Sequence, residues 1–439
     1  MDLILSGGEE SLLSSLDFSL PPTTSYVQSR RLVSYYPSGA SNFSPQGVRV
    51  ARFNINGQSW LDPASMRITA SITNKSATTT LQLADGPHVL IQRMRVYMSG
   101  TLIEDVDFYG RSHSLFRRLL MPKDWVINDA IESGSQVYAE GQPGAVQPSI
   151  SNQVLAPGKS CMFNLQPLLG LLSCGKMLPL KYGGLSLELT FADAESAVTP
   201  TSSTTYDIEG LSIRCATSSL DSALGASYAS LLMQNRVLTI KLTSYSTQTS
   251  ILPVGSTEMD VSLVRAFSRL NALFISWQGS KAADTPPANN HDTVSFLNPG
   301  QFVVGGTTAA GVVCHDENKM SWDVQIGSLK WPETPCASIP ETMSLLRQAC
   351  AIHDESVRTL NITPQGMESN GFCVGVPLST SPGAAFSGLN TRAGDLLTVR
   401  AKGMQTDNTI NGAGGGRCYI TMLHDSIVEL REGSCSVLD

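Results

Sequence analysis

Charge is what this sequence has least of. Only 15% of its 439 residues are Asp, Glu, Lys or Arg, against 41% hydrophobic, and the balance is acidic, with a formal net charge of −7. Binding along a phosphate backbone needs clustered cations, so a protein that coats nucleic acid over its whole surface is excluded, while a local basic face is not. Serine, threonine and glycine fill the surface instead, and a neutral polar surface tolerates close neighbours. Long apolar runs are missing too. The most apolar window, 168–180, is interrupted by Lys176 and Pro179 and falls short of the roughly 18 to 20 residues that cross a bilayer. The start, Met1-Asp2-Leu3-Ile4-Leu5-Ser6, has an acid where a secretion signal carries positive charge and an apolar run too short for one. Nine cysteines, at 161, 174, 215, 314, 336, 350, 373, 418 and 435, are odd in number and scattered, with no C-x-x-C pair. Reduced, buried thiols in a cytosolic or nuclear setting fit that pattern.

The patterns of catalysis and cofactor binding are also lacking. Ala156-Pro157-Gly158-Lys159-Ser160 ends like a phosphate-binding loop, but Gln153 stands where that loop needs glycine. The glycine run 412–416 leads to Arg417, where a dinucleotide fingerprint needs its last glycine, and a strand pattern follows. No G-x-S-x-G elbow occurs. Four histidines precede an aspartate, at 291, 315, 353 and 424; adjacent side chains in a strand point to opposite faces, so such pairs do not chelate. Cys314-His315-Asp316-Glu317 is the densest cluster and reads as an exposed turn, lacking a second matched pair for a metal. His88 and His113 have no partner in the sequence. The sequons at Asn42, Asn74 and Asn361 mean little without a secretion signal. The expectation is a protein with no enzymatic activity, no catalytic, cofactor-binding or metal residues, and no cofactor.

What is present is alternation of period two. Met66, Ile68, Ala70 and Ile72 alternate with Arg67, Thr69, Ser71 and Thr73, the pattern of a sheet with one wet face. Residues 48–55, 89–98, 101–106, 161–165 and 206–215 read as further strands. Phe108, Ser112, Leu115, Phe116, Leu119 and Leu120 change to helical spacing, and Pro122 stops that helix. Glycine, proline, serine and glutamine crowd 134–158, a long loop. Leu220, Leu224, Tyr228, Leu231 and Leu232 then suggest a helix between two halves. The second half restarts with Leu238, Ile240 and Leu242, then Met259, Val261 and Leu263, then Leu273, Ile275 and Trp277. After a loop at 279–311 come Trp322, Val324 and Ile326. The capping-box spacing Ser338-Ile-Pro-Glu341 opens a helix bearing Leu345, Leu346, Ala349 and Cys350, and strands close the chain around 397–401 and 418–430. Each half is strands, one helix, more strands, with no residue-level repeat between them. The length suits two sandwich cores.

Charge is blocked at the front. Residues 1–24 hold Asp2, Glu9, Glu10 and Asp17 with no base, whereas 25–52 hold Arg30, Arg31, Arg49 and Arg52 with no acid. The first block reads as an arm that either docks on a neighbouring subunit or the inner side of an assembly, or frays into solvent. Arg93, Arg95, Arg111, Arg117, Arg118 and Lys123 make 88–123 locally basic: either a face toward nucleic acid or a neighbouring subunit, or, as favoured here, the solvated edge of an amphipathic helix.

The stretch Lys176-Met-Leu-Pro-Leu-Lys-Tyr-Gly-Gly-Leu-Ser-Leu-Glu-Leu-Thr-Phe191 organises the rest. Leu178, Leu180 and Tyr182 share one parity, and after Gly183-Gly184 the apolar positions switch to Leu185, Leu187, Leu189 and Phe191, which reads as one strand with a bulge at the glycines. Its Leu-Pro-Leu, its aromatic and the alternating strand with embedded Glu188 resemble the strand late in the first jelly roll of double jelly-roll major capsid proteins of tailless icosahedral DNA viruses, polinton-like and large eukaryotic ones included. The motif covers 178–191; the organisation matches from about 25 to 433.

That resemblance implies an all-β fold of two consecutive eight-stranded jelly rolls, each with an inserted helix. It gives an arm at 1–24, a first jelly roll at 25–216, a helical connector at 217–235, a second jelly roll at 236–433 and a C-terminal tail at 434–439. The implied function is a major capsid protein whose homotrimers form pseudo-hexameric capsomers of an icosahedral shell around DNA. The implied partners are itself, neighbouring capsomers, penton and minor capsid proteins, with weak contact to genome or an inner membrane and no small-molecule substrate. The implied location is the virion capsid, assembled in host cytoplasm or nucleus. A two-sandwich carbohydrate- or receptor-binding protein, a lectin or spike, is the alternative.

Overall fold

In the computed structural model, residues 27–120, 131–134, 136–137, 150–151, 154–199, 202–279, 296–299, 302–304, 315–318, 320–351, 360, 362, 367, 371–380, 386–392, 396–404, 416–431 and 433–438 are described. The arm 1–24, Pro122, Cys314, Asn361, the pairs His291-Asp292 and His353-Asp354, and most of the loops 134–158, 279–311 and 412–416 lie outside the described residues.

In chain order the first half contributes β1 (Val27–Tyr35), β2 (Asn42–Phe43), β3 (Val50–Ile55), β4 (Trp60–Asn74), β5 (Leu81–Gln82), β6 (Ile91–Met98), β7 (Thr101–Asp107), β8 (Gln136–Val137), β9 (Ile150–Ser151), β10 (Val154–Leu155), β11 (Ser160–Leu165), β12 (Leu178–Pro179), β13 (Leu185–Phe191) and β14 (Tyr206–Leu220). The second contributes β15 (Leu238–Leu252), β16 (Glu258–Ser262), β17 (Leu270–Gln278), β18 (Phe302–Val304), β19 (His315–Asn318), β20 (Ser321–Ile326), β21 (Leu329–Cys336), β22 (Val374–Pro377), β23 (Leu397–Lys402), β24 (Gly416–Arg431) and β25 (Ser434–Leu438). The helices are α1 (Tyr109–Leu120), α2 (Ala194–Ala197), α3 (Ser222–Met233) and α4 (Ile339–Ala349).

The two halves repeat one topology. The first pairs β1-β14-β4-β11 in one sheet and β3-β13-β6-β7 in the other; the second pairs β15-β24-β17-β22 and β16-β23-β20-β21. Numbering these eight strands within each half gives orders 1-8-3-6 and 2-7-4-5 both times, the double Greek key of a jelly roll. Helices α1 and α4 both fall between the fifth and sixth of these strands. The duplication that the residues do not spell out is therefore explicit in the pairing.

Alternation builds each sandwich. On β3 the exposed and buried residues alternate strictly, with Ala51, Phe53 and Ile55 inward. They meet Met94, Val96, Leu187 and Leu189 of their own sheet and Met66, Ile68 and Ile72 of the facing one in a shared core. Phe43 and Phe191 touch across the two sheets with ring centroids 5.3 Å apart. Full burial of each such side chain contributes about 1.5–3 kcal/mol. In α4, Ser338 caps the helix by accepting from the Glu341 N–H at 3.3 Å, while Glu341 reaches back to the Ala337 N–H at 3.4 Å.

Several expectations need correction. Leu178 to Phe191 is not one bulged strand: β12 pairs with β4 in one sheet and β13 pairs with β3 and β6 in the other. The Gly183-Gly184 pair lies where the chain crosses between sheets, so both parities are buried. A Cβ on Gly184 would fall 3.4 Å from Asn56 Cγ, closer still to its Oδ1, and one on Gly183 would lie 2.8 Å from Leu430 of the second sandwich. The connector begins later than 217, since β14 runs to Leu220 and Asp221 caps α3 by accepting from Ala223 N–H at 3.2 Å. Residues 434–438 are no tail; they form β25, which pairs with β24 beyond the end of β17. The basic segment after residue 25 contains β1, which pairs with β14 from Val27 to Tyr35. Only Ser29, Val33 and Tyr35 are partly buried on it, with Arg31 exposed on the same parity, so its sequence carries only a broken inward-facing stripe.

The joint between the sandwiches and the candidate assembly surface

Glu104 lies on β7 in phase with buried Val106 and is itself 2% exposed. Its carboxylate accepts from the backbone N–H groups of Gly170 at 2.9 Å and Leu171 at 2.8 Å, where a short 3-10 turn begins. From the second sandwich the Ser244 hydroxyl donates to it at 2.5 Å. Burial pushes this carboxyl up from the ordinary glutamate range, against the pull of those three donors. Around it, Tyr245 of β15 donates to the Leu168 carbonyl at 2.8 Å, and Tyr109 of α1 accepts from the Leu168 N–H at 2.8 Å. Thr101 donates to the Cys435 carbonyl on β25 at 3.0 Å.

Helix α1 is wedged into the same joint. Phe116 packs edge-on against Tyr245 and Phe274, with centroids 4.9 and 5.7 Å away. Arg111, 3% exposed, donates to the Ser276 hydroxyl and the Trp277 carbonyl at 3.2 Å each and lies over the rings of Tyr419 and Phe296. Burial draws its pKa down to about 10, so it stays charged at neutral pH. For the bases on α1, neither reading of the 88–123 segment fits this burial. Arg111 and Arg117 are inside the molecule, Arg118 stacks on Phe296, and Arg93 and Arg95 are held by carboxylates. Lys123 lies outside the described residues.

The histidines are brought together as well. His88 and His113 stack with centroids 4.3 Å apart, and His88 Nε2 lies 2.6 Å from Ser114 Oγ. Asp85 accepts from Ser114 at 2.8 Å and from Arg117 at 3.3 Å. This Ser–His–Asp grouping is sealed, since Ser114 and His88 are buried, and it anchors the helix rather than presenting a nucleophile. His424 and Asp425 are both buried on opposite sides of β24, His424 against Phe267 and Asp425 accepting from Thr243 at 2.6 Å. His315 to Glu317 lie in β19, a short strand rather than the turn expected. No group of three or more metal-ligating side chains occurs among the described residues, and no helix there is long and apolar enough to cross a membrane.

No family model and no curated protein matches the sequence. Solved structures do match. PBCV-1 VP54, as fitted into a reconstruction of the virophage Sputnik, aligns over 97% of this chain and 100% of its own at TM-score 0.61 and 13% identity. The structure of the Sputnik virophage aligns over 97% and 92% at 0.60 and 12% identity. The Faustovirus major capsid protein aligns over 97% and 93% at 0.57 and 8% identity. The fold is the double jelly roll of major capsid proteins.

A double jelly roll leaves particular surfaces open. Among the described residues strand β1 is the outer edge of its sheet, Leu32 on it and Tyr36 just after it are both 71% exposed, and an open edge is a template for another chain. At one end of the second sandwich Leu263 and Gly327 donate to the Leu397 and Leu396 carbonyls, which brings Val264, 90% exposed, together with Leu396 and Leu329. The outward face of β3-β13-β6-β7 carries a charge row in register: Arg52–Glu188 at 2.8 Å, Glu188–Arg95 at 3.0 Å, Arg95–Asp105 at 3.5 Å and Asp105–Arg93 at 2.6 Å. Glu188, which marked the motif, is the hub of that row. Asp107, 3.1 Å from Arg93, brings the row to three arginines and three carboxylates, so its charges cancel within one chain and the face suits close approach to a neutral neighbour more than phosphate binding.

Proposed function

We propose that this chain is the major capsid protein of a tailless icosahedral DNA virus. Homotrimers form pseudo-hexagonal capsomers, and capsomers tile the shell around the genome. The observation that carries the reading is the exact repetition of strand order in two sandwiches that are locked by Glu104, Arg111 and α1. Two similar, rigidly joined wedges per chain give six similar wedges per trimer, so a three-fold object can occupy a six-fold lattice position. The open edge at β1 and the apolar end around Val264 support self-association, as exposed apolar surface does in general. The proposed role is structural, without catalysis, in the virion capsid. Penton and minor capsid proteins are the further partners proposed, with host cytoplasm or nucleus as the place of assembly. Light scattering on the purified chain tests it: three chains of 46.9 kDa give about 141 kDa, and a stable monomer at micromolar concentration overturns it.

A further inference from the structure

The stacked His88–His113 pair fastens α1, the helix wedged between the sandwiches, with His113 on α1 itself, and the two residues are 1% and 2% exposed. Their surroundings are unequal. His88 lies 3.4 Å from the Asp85 carboxylate. His113 has a bond to the Gln166 backbone, and burial first, then His88 and Arg117, hold its pKa well below the usual histidine range. Its Nδ1 is buried without a hydrogen-bond partner. A second proton on that ring would enter a buried site with no hydrogen-bond acceptor at Nδ1. The groups facing it are Arg117 and Tyr109 on α1 itself, His88 on the 3-10 turn before β6, Asp85 ahead of that turn, and the Gln166 carbonyl. Asp85 is already engaged: burial alone would raise its carboxyl, but His88, Arg117 and Arg118 hold it well below the ordinary range.

We propose that the His88–His113 pair is an acid-sensitive latch on α1, through which a fall in pH through the histidine range loosens the joint between the two sandwiches. The sign follows from linkage. Once α1 lifts, His113 regains an ordinary pKa of about 6.5 and binds a proton that the closed form excludes, so opening gains as pH falls below about 6.5. Glu104, whose carboxyl is raised in the folded chain, works in the opposite sense, so the latch is read between pH 7.5 and 5.5 as the difference between chains with and without His113.

The test is hydrogen exchange of peptides covering 109–120 in the full chain, corrected for intrinsic rates. One proton taken up at pKa 6.5 multiplies the opening constant about tenfold at pH 5.5. His113→Phe, which keeps a ring in the stack, should flatten that profile. Equal pH dependence in both chains, or none in the unaltered one, overturns the proposal. If the variant does not fold, imidazole C2–H exchange of the unaltered chain decides: His113 titrating below 5.5 supports the latch, and a midpoint at 6.5 or above rejects it.

Discussion

Gly170→Ala isolates the contact between the sandwiches from everything else. Gly170 has φ −62° and ψ −41°, a right-handed helical conformation that alanine adopts readily, so on backbone grounds alone the change would stabilise by about 0.4–1 kcal/mol. The new Cβ would however lie 2.8 Å from the Thr243 carbonyl carbon on β15, closer still to its oxygen, and 3.0 Å from Glu104 Oε1. A backbone carbonyl in a paired strand cannot swing aside, so the sandwiches must separate or the turn must shift. Overpacking of this kind costs about 1–3 kcal/mol, and losing one hydrogen bond to Glu104 adds about 1 kcal/mol. Set against the backbone gain, the net is a loss of about 1–3.5 kcal/mol, or roughly 2–7 °C in Tm at about 2 °C per kcal/mol. Scanning calorimetry reads it, with Gly225→Ala as control, because nothing lies within 4 Å of a Cβ there. If Gly170→Ala melts at or above the temperature of the unaltered chain, the two sandwiches do not meet as described.

Leu187→Asp should prevent folding, since Leu187 is 2% exposed between Phe53 and Val96 and an unpaired carboxylate there costs several kcal/mol; soluble, cooperatively unfolding protein would count against it. Removing residues 434–439 should lower Tm by several degrees, because β25 pairs from Ser434 to Leu438 and supplies the carbonyl for Thr101; an unchanged melting curve would make it a tail after all. Removing residues 1–24 should leave Tm unchanged while reducing particle yield in sedimentation, as expected of an arm that bridges subunits. A collapsed Tm would place those residues in a core, and unchanged yield would make them passive.

The parts of the fold legible in the sequence were those with a local period. Met66 to Ile72, Leu238 to Leu242 and the helix after Phe108 announce themselves because burial recurs at every second, or every third to fourth, residue. Where burial comes from another sheet or the other sandwich, periodicity misleads. Leu178 and Leu187 look like one strand with a slip, yet they belong to facing sheets, because a chain crossing at Gly183-Gly184 also changes parity. Strand β1 was invisible since its residues line an exposed edge. At the joint, Glu104 gave a weak signal, an acid in phase with Val106, but its partners Gly170 and Ser244 are 66 and 140 residues away. His88 and His113 are 25 residues apart in the sequence, and only the packing of α1 onto the 3-10 turn stacks them.

Electron microscopy of the purified chain tests the central claim most directly. Class averages should show a three-fold particle with a six-lobed outline, each subunit contributing two lobes of similar size at fixed separation. Particles with two lobes that flex about the connector, or three-lobed particles without the pseudo-six-fold outline, would contradict it.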